Sequence, residues 1–338
     1  MSGKSFNVAV AGATGAVGLV MLEILEERGF PVKNIRLLAS ARSVGKRLRF
    51  RGEDIPVEEL DEHAFAGVDI ALFSAGASRS REFAPHAVTA GAVVVDNSSA
   101  FRMEDHVPLV VPEINGDTIG NHRGIIANPN CTTIIGVMPL KPLHDYGRVK
   151  RVVASSYQAV SGAGAKAMEE LKNQVNDYVH GRDLVTEVFP KQISFNLIPR
   201  IDEVQDNYYT REEMKMVKET RKIMGNEKIA ITCTTVRVPV FRAHAISANV
   251  ETEKKITREK AKELIGNFPG CAVMDDPGND VYPTPIFTTG RDDCYVGRIR
   301  EDESIENGLN YWVVGDQLRK GAALNAVQIA ETLAAKFM

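Results

Sequence analysis

The chain has 338 residues, a formal net charge of −3 and 44% hydrophobic residues. This composition is typical of a globular protein of about two domains, and the lack of a basic stripe argues against nucleic acid as the main partner. No apolar run approaches the ~18 residues of a transmembrane helix, and residues 1–10 lack the apolar core of a signal peptide. We therefore expect a cytoplasmic protein without a membrane partner.

The four cysteines lie at positions 131, 233, 271 and 294. Their spacing fits neither a zinc ribbon nor a disulfide framework, so we expect no metal site and a reducing compartment. Cys233 lies within an apolar, β-branched run and Cys294 lies just before another, which places both in the core.

An apolar strand, Phe6–Ala11, leads directly into the turn GATGAVG at residues 12–18, and residues 19–27 have a helical pattern. A glycine turn between a strand and a helix is the context of a dinucleotide-binding site, in which the pyrophosphate rests on the helix N-terminus. The spacing is G-x-x-G-x-x-G rather than the commoner G-x-G-x-x-G. A tight turn without a ligand is the alternative.

A second strand, residues 35–39, is followed by the sequence SARS at residues 40–43 and by Lys46 and Arg47. An NAD site commonly has an acidic residue here, which binds the ribose 2′-hydroxyl. This stretch has no acidic residue, whereas guanidinium and hydroxyl groups suit a 2′-phosphate. We expect NADP rather than NAD, with a solvated basic loop as the alternative.

Further strands at residues 68–73 and 92–96 flank a helix at 78–90, and a short strand follows at 124–127. Alternating strands and helices predict a parallel, doubly wound sheet, and ligands bind such sheets at the carboxyl ends of the strands. Arg102 lies a few residues past one of these ends, where it could meet an anion. A capped polar loop is the alternative.

The sequence NPNCTT at residues 128–133 brings Cys131 to the start of a helix-like run at residues 134–143. The N–H groups of a first helical turn and the positive end of the helix dipole favour a thiolate, and the thiolate is the nucleophile. A small buried hydrophobe is the alternative, because cysteine is among the most buried residue types.

The second half begins with a strand-rich segment, residues 148–160, in which Gln158 lies near the end. A second glycine turn follows at 161–164, and residues 165–179 have the pattern of an amphipathic helix. The face that we expect to be buried carries Met168, Leu171, Val175 and Tyr178.

Another helix opens at Thr210, which forms a capping box with Glu213. This leaves Glu212 without a capping role and places it on the same helix face as Lys215, three residues later. Locally, a surface ion pair is the better interpretation of these two residues.

Strands at residues 230–238 and 244–251 are joined through Pro239. An odd spacing puts Arg237 and His244 on opposite faces of an unbroken strand, but a break at the proline allows both to face one site. A lone histidine is more often structural than catalytic. After a last strand, we expect an amphipathic helix at residues 316–336 that returns to the first domain.

These features, in this order, resemble the aspartate-β-semialdehyde dehydrogenases. The resemblance covers the whole chain and is most specific at NPNCTT, at SSYQAVSG (residues 155–162) and in the seven-residue step from Arg237 to His244. The family converts L-4-aspartyl phosphate and NADPH into L-aspartate 4-semialdehyde, phosphate and NADP⁺. This step opens the lysine, methionine, threonine and diaminopimelate pathways.

The resemblance implies an α/β protein of two domains that forms a homodimer or a dimer of dimers. The first would be a Rossmann-like NADP-binding domain, residues 1–130, completed by the C-terminal helix within residues 316–338. The second would be an α+β catalytic and dimerisation domain, residues 131–315.

The resemblance also implies a role for each matching residue. Cys131 resembles the nucleophile and His244 the acid/base, with Gln158 beside them in the catalytic set. Gln158, Glu212 and Arg237 look like substrate contacts, and Arg102 and Lys215 look like phosphate contacts. The residues that look like NADP contacts are Gly12, Thr14, Gly15, Ala16, Val17, Arg42, Ser43, Ser161, Gly162 and Gln317.

Each charged part of aspartyl phosphate then has a partner. Arg102 and Lys215 suit the phosphate, the planar fork of Arg237 suits the α-carboxylate, and Glu212 suits the α-ammonium. One competing hypothesis is an N-acetyl-γ-glutamyl-phosphate reductase, whose substrate lacks a free ammonium. The other is a non-catalytic paralogue, against which the retention of the whole catalytic set argues.

Overall fold

The computed structural model describes residues 4–338, which divide into two compact units. One unit contains the described chain up to Asn130 together with Gly321–Met338, and the other contains Cys131–Lys320. Within residues 4–338, no helix is long and apolar enough to cross a membrane.

The first unit is built around a seven-stranded sheet. Its elements before residue 131 are β1 (Phe6–Ala11), α1 (Ala16–Glu27), β2 (Val32–Ala39), β3 (Arg47–Phe50), β4 (Glu53–Glu59), β5 (Ile70–Phe73), α2 (Ala77–Thr89), β6 (Val93–Asp96), α3 (Pro112–Asn115) and β7 (Ile125–Ala127).

The strand order in this sheet is β3-β4-β2-β1-β5-β6-β7, and all neighbours are parallel except β3 and β4. Every residue of β5 is buried, as is typical of a parallel strand covered on both faces. The predicted doubly wound sheet is therefore confirmed. The β3–β4 hairpin was not predicted, because these strands are short and rich in charged residues, and their alternation of apolar and polar residues covers only four residues in β3 and is interrupted by Pro56 in β4.

The second unit is built around a six-stranded mixed sheet. Its elements are α4 (Cys131–Gly147), β8 (Val149–Gln158), α5 (Ala165–Val179), α6 (Arg211–Met224), β9 (Ala230–Arg237), β10 (His244–Thr252), α7 (Arg258–Gly266), β11 (Cys271–Val273), α8 (Pro285–Thr288), β12 (Cys294–Asp302) and β13 (Gly308–Gly315). The last helix of the chain, α9 (Leu324–Lys336), belongs to the first unit.

The strand order in the mixed sheet is β11-β12-β13-β10-β8-β9. The β8–β9 and β11–β12 pairs are parallel, and the other pairs are antiparallel. The fold therefore agrees with the expectation of a Rossmann-like domain, completed by the C-terminal helix, and a second α+β domain.

The predicted helix at residues 316–336 is wrong at its N-terminus. The carboxylate of Asp316 accepts hydrogen bonds from the N–H groups of Leu318 and Arg319, at 2.9 and 3.3 Å, in the manner of a helix cap. A π-helical turn, Arg319–Ala323, then precedes α9. Asp316 therefore lies outside the helix.

The buried face of α5 also differs from the prediction. Leu171 is buried and Met168 is half-buried, but Val175 and Tyr178 are exposed. The interior-facing residues include two polar ones, Glu170 and Gln174. A hydrophobicity pattern assigns such residues to solvent, whereas here backbone groups satisfy them.

Candidate active site

The mixed sheet brings Gln158, Arg237 and His244 to one edge. Gln158 ends β8 and Arg237 ends β9, and these two residues are partnered in the parallel register. On the other side of β8, His244 begins the antiparallel strand β10. All three side chains are buried. Their proximity follows from the strand order, which the sequence does not reveal.

Cys131 is the first residue of α4, as expected for a thiol at a helix start. Its side chain is half-buried, and Sγ lies 3.9 Å from the Thr132 hydroxyl oxygen. Burial lowers the pKa of Arg237, while the nearby charges of Glu212 and Cys131 raise it. Ile135, one turn after Cys131, packs against Gly315, where a Cβ would lie 2.7 Å from Ile135 Cγ1, and Gly315 is partnered with His244 in the sheet. The start of α4 therefore lies beside this end of the sheet.

His244 is completely buried and is oriented by the backbone. Its Nδ1 accepts a hydrogen bond from the Ala159 N–H at 3.1 Å, so a neutral ring carries its proton on Nε2. No group of the described chain hydrogen-bonds Nε2. Burial, assisted by the charge of Arg237, lowers the pKa of His244 to about 3. This arrangement suits a hydrogen-bond donor at Nε2, and the acid/base role expected from the family stays a prediction.

Arg237 and His244 face the same glycine. A Cβ atom on Gly162 would lie 2.9 Å from Arg237 Nη1 and 3.3 Å from His244 Nε2. Arg237 Nη1 also donates a hydrogen bond of 2.7 Å to the Ala159 carbonyl oxygen. The expectation that the break at Pro239 lets both side chains reach one site is therefore correct.

Glu212 is buried and bonds to other side chains, whereas the sequence suggested a surface position. It accepts a hydrogen bond from Gln158 Nε2 at 3.3 Å and pairs with Lys215 Nζ at 3.0 Å. The expected capping box of the neighbouring Thr210 and Glu213 is present. The interpretation of Glu212 and Lys215 as a surface pair is wrong, because Glu212 reaches the edge of the sheet.

Lys215 Nζ lies between two carboxylates. Besides Glu212, it contacts Asp202 at 3.0 Å. Burial acts to lower the pKa of Lys215, but Glu212 and Asp202 raise it overall, so the ammonium is charged. Sequence patterns gave no signal for Asp202, which lies in an irregular loop.

Gln317 connects the backbone in front of His244 to Ser161. Its Nε2 donates to the Ser161 hydroxyl, and its Oε1 accepts the Ala243 N–H at 2.7 Å. Ala243 has a φ of +70°, a left-handed conformation that costs a residue with a Cβ about 1–2 kcal/mol. Gln317 thus fixes the strained residue before His244. Cofactor contacts by Ser161 and Gln317 stay a prediction.

In the first unit, Arg102 holds the turn that leads to residue 131. The buried guanidinium donates to the carbonyl oxygens of Asn128 and Asn97, each at 2.9 Å. Asn128 is also bound by Asn325 of α9, whose Nδ2 donates to Asn128 Oδ1 at 2.7 Å. The region is an organised polar loop, and a phosphate contact by Arg102 stays a prediction.

A cavity of about 590 Å³ opens at the glycine turn after β1. Gly12, Thr14, Gly15 and Arg42 line it, and the Thr14 hydroxyl lies 3.4 Å from that of Ser43. Gly12 has a φ of +88°, and a Cβ there would lie 2.5 Å from the Ser74 carbonyl oxygen. The predicted cofactor residues of the first unit, including Ala16 and Val17 in the first turn of α1, are therefore gathered at one place.

Two charged residues of this cavity were missed. Arg79, from the first turn of α2, and Glu59, at the end of β4, both line it. Because β4 pairs in parallel with β2, Glu59 lies beside Ala39, immediately before the 40–43 stretch. The stretch after β2 has no acidic residue of its own, as stated, but Glu59 brings a carboxylate beside it from a different strand. Recognising β4 as a strand would have revealed Glu59.

The arrangement fits a dinucleotide. No side chain of the described chain caps the first turn of α1, and that turn carries no acidic residue, so its N–H groups suit a pyrophosphate. The guanidinium groups of Arg42 and Arg79 add positive charge to the same cavity. Within residues 4–338, no group of side chains has the composition of a metal site.

Known proteins match both units. Family profiles described as "Semialdehyde dehydrogenase, NAD binding domain" and "Semialdehyde dehydrogenase, dimerisation domain" match residues 7–122 and 140–320. The aspartate-semialdehyde dehydrogenase of Aquifex aeolicus is 54% identical over 332 residues, which are 97% of this chain and 98% of the relative.

Solved structures agree with these matches. Aspartate semialdehyde dehydrogenase II from Vibrio cholerae, complexed with ASA, has a TM-score of 0.97 at 46% identity and covers 99% of this chain and 100% of its own. Aspartate semialdehyde dehydrogenase with NADP from Candida albicans has a TM-score of 0.77 at 25% identity, with 98% and 99% coverage. The chain therefore belongs to the aspartate-semialdehyde dehydrogenase family.

Proposed function

We propose that the protein reduces L-4-aspartyl phosphate to L-aspartate 4-semialdehyde, with release of phosphate, through a thioester on Cys131. The observation that carries this proposal is the cluster of Gln158, Arg237 and His244 at one sheet edge, with Cys131 at an adjacent helix start. The name of the Aquifex relative and the ASA in the Vibrio structure support the substrate.

The proposed reaction has two steps, and both take place at Cys131. The thiolate attacks the acyl carbon, a C–S bond forms, and the C–O bond to phosphate breaks, so that phosphate leaves with the bonding electron pair. The N–H groups of the first turn of α4 stabilise the oxyanion that develops at the acyl carbon. When bound, the nicotinamide supplies the hydride that reduces the thioester. Collapse of the resulting oxyanion breaks the C–S bond and restores the thiolate.

We assign His244 the role of a hydrogen-bond donor in this reaction. Its Nδ1 accepts the Ala159 N–H, so the Nε2–H group is the one that can donate a hydrogen bond to the oxyanion. An imidazolium would bring two N–H groups together at Nδ1, and burial further disfavours it. His244 therefore contributes to the reaction as a neutral ring whose Nε2–H is held in a fixed orientation.

The charged groups suit the substrate. Arg237 offers a planar fork for the α-carboxylate, and Lys215 and Arg102 offer cations for the phosphate. Glu212 is the candidate for the α-ammonium, and its carboxylate would bind this group while shared with Gln158 and Lys215. A carboxylate can accept about four hydrogen bonds, so sharing is compatible with its chemistry.

The direct test runs the reaction in reverse. Purified protein mixed with aspartate semialdehyde, phosphate and NADP⁺ is expected to produce the absorbance of reduced nicotinamide. Cys131→Ser is expected to lose at least about 10³-fold in kcat while retaining its fold and cofactor binding. Cys233→Ala is the matched control, because burial raises the pKa of Cys233 to about 12 and keeps its thiol inert. Turnover of only N-acetylglutamate semialdehyde would overturn the assignment.

For the cofactor, we propose a preference for NADP over NAD. Arg42 and Arg79 line the first-unit cavity and suit a 2′-phosphate, whereas Glu59 in the same cavity could bind a ribose hydroxyl. Arg42→Ala is expected to raise the KM for the phosphorylated cofactor by about tenfold or more and to change the KM for NAD little. An equal change for both cofactors would contradict the role of Arg42.

We also propose that the protein is a cytoplasmic homodimer, or a dimer of such dimers, that acts in lysine, methionine, threonine and diaminopimelate biosynthesis. The profile of the second unit, described as a dimerisation domain, supports the assembly. Sedimentation at micromolar concentration is expected to give twice or four times the mass of the 37.0 kDa chain. A monomer under these conditions would contradict the proposal.

A further inference from the structure

Helix α5 directs a carboxylate and an amide at one irregular segment, residues 185–198. Glu170 accepts hydrogen bonds from the N–H groups of Glu187, at 3.1 Å, and Val188. Gln174 donates to the Val185 carbonyl oxygen at 2.8 Å and accepts from two further N–H groups, those of residues 193 and 194, each at 3.0 Å. We call this segment loop 185–198.

The two polar side chains also bind each other. Gln174 Nε2 donates to Glu170 Oε1 at 3.2 Å, and both residues are buried. Burying a carboxylate and an amide is costly unless their hydrogen bonds are satisfied, and here loop 185–198 satisfies them. The loop lies outside the regular helices and strands, so these side chains replace the ladder that a strand would provide.

Loop 185–198 reaches Arg237 in two ways. The Phe189 ring lies under the guanidinium, with 5.9 Å between the Arg237 Cζ and the ring centroid. Ile198 forms a two-way backbone bridge with Arg237, with N–H···O distances of 3.0 and 2.8 Å. Phe189 and Ile198 also pack in one apolar cluster with Leu171 of α5.

We propose that Glu170 and Gln174 are positioning residues, which set the plane of the Arg237 guanidinium through loop 185–198. The Phe189 ring fixes the plane of the Arg237 guanidinium by contact with its face. The backbone bridge to Ile198 fixes the main chain from which the Arg237 side chain extends. The functional consequence rests on the proposed role of Arg237 as the ligand of the substrate α-carboxylate. Bidentate binding depends on the plane of the fork, so a loosened loop weakens carboxylate binding before it alters the chemical step.

Glu170→Gln tests the proposal. It keeps the shape of the side chain but replaces one acceptor oxygen with an NH₂ group, which must face either the NH₂ group of Gln174 or the N–H groups of residues 187 and 188. We expect the KM for aspartate semialdehyde to rise about tenfold, with kcat and the KM for phosphate changed by less than about twofold. Phe189→Leu, which keeps an apolar side chain but removes the ring, is expected to give the same split. Glu169→Gln, on the exposed side of α5, is the matched control.

A substrate without the carboxylate separates positioning from general damage. With 3-aminopropanal, Glu170→Gln is expected to have the kcat/KM of the wild type, because there is no carboxylate for Arg237 to bind. In an Arg237→Leu background, Glu170→Gln is expected to have no further effect on KM. Equal losses with both aldehydes would overturn the proposal.

Hydrogen exchange gives a readout that does not depend on the reaction. Glu170→Gln is expected to speed exchange in loop 185–198 and at the Arg237 amide, and Glu169→Gln is expected to leave both unchanged. If the wild type does not oxidise aspartate semialdehyde, the proposed function fails while exchange at Arg237 still decides this inference. If the wild type is active and Glu170→Gln has the same hydrogen exchange and the same KM for aspartate semialdehyde as Glu169→Gln, this inference fails and the proposed function stands.

Discussion

Gln158 and Arg237 occupy partnered positions at the ends of two adjacent parallel strands. Glu212, from α6, serves both: it accepts a hydrogen bond from the Gln158 amide, and its charge favours the protonated form of Arg237 against the effect of burial. The amide at position 158 therefore gives Glu212 a hydrogen-bond donor without adding a second negative charge to the buried network.

Gln158→Glu is expected to break this network, because it places a second carboxylate beside Glu212. Repulsion and burial would raise the pKa of the introduced carboxyl above its unfolded value of about 4.3. The stability loss that comes from ionisation of this carboxyl is absent below about pH 4.3. Above that pH it grows by about 1.4 kcal/mol per pH unit, until the pKa of the carboxyl in the folded state is reached.

Urea unfolding at pH 5 and pH 8 measures this effect. Relative to the wild type, Gln158→Glu should be less stable at pH 8 than at pH 5, and its activity should be lost at both. Gln205→Glu, the same change at an exposed loop position, is the control. A variant deficit that shrinks as the pH rises would contradict the proposed proximity of the two carboxylates.

The sequence predicted features whose causes lie within a few residues. The helix start at Cys131 and the capping box of Thr210 and Glu213 depend on neighbours in the chain, and both are present. The glycine turn after β1 likewise needs only its own spacing.

The sequence could not predict features that depend on which strands become neighbours. His244 reaches Gln158 because β10 lies between β13 and β8, and Glu59 reaches the cofactor cavity because β4 lies beside β2. The burial of Glu170 was not predicted, because its hydrogen-bonding partners lie in a later irregular loop. No local periodicity encodes those partners.

His244→Asn is expected to reduce the acid sensitivity of the fold. The pKa of His244 is lowered to about 3, against about 6.5 in an unfolded chain, so the unfolded state binds the proton first. Stability from this group is fully present above pH 6.5 and falls as the pH is lowered towards 3, by about 2 kcal/mol at pH 5. Asparagine keeps an acceptor for the Ala159 N–H but does not titrate.

The measurement is the free energy of unfolding at pH 7 and pH 5. The wild type should lose about 2 kcal/mol more than His244→Asn between these values. His86→Asn, at an exposed position of α2, serves as the control for histidine removal. Parallel losses in wild type and His244→Asn would show that the imidazole is not held neutral.

Gly162→Ala is expected to impair the site by adding one methyl group. Its Cβ would lie 2.9 Å from Arg237 Nη1, so the guanidinium must shift, and 3.3 Å from His244 Nε2, a tight contact that the imidazole must relieve by a few tenths of an ångström. We expect kcat/KM for aspartate semialdehyde to fall about tenfold or more, because small displacements of catalytic groups are costly. The fold should persist, since the methyl group meets side-chain ends rather than backbone.

Cofactor titration distinguishes this cause from the role of Gly162 as a predicted cofactor contact. If Gly162→Ala weakened only the binding of NADP and left kcat unchanged at saturating cofactor, the steric argument would be wrong. Ala163→Ser, at the next, exposed position, is the control.

Asp202→Asn is expected to strengthen phosphate binding. Asp202 and Glu212 both contact the Lys215 ammonium at 3.0 Å, so a phosphate that binds Lys215 must compete with the Asp202 carboxylate. Removing one charge from a partly exposed pair is expected to lower the KM for phosphate by about two- to fivefold, and less at high salt. Asparagine tolerates the φ of +73° at this position, so the loop conformation is retained.

Kinetics in the phosphorylating direction at low and high ionic strength provide the measurement. The KM for aspartate semialdehyde should change less than the KM for phosphate, because the Asp202 side chain contacts Lys215 and the Glu203 N–H and does not contact Glu212 or Arg237. Asp206→Asn, at an exposed position of the same loop, controls for the general loss of negative charge. A higher KM for phosphate in Asp202→Asn would mean that Asp202 orients the lysine rather than competing for it, since the ammonium would then lose its alignment when the carboxylate is removed.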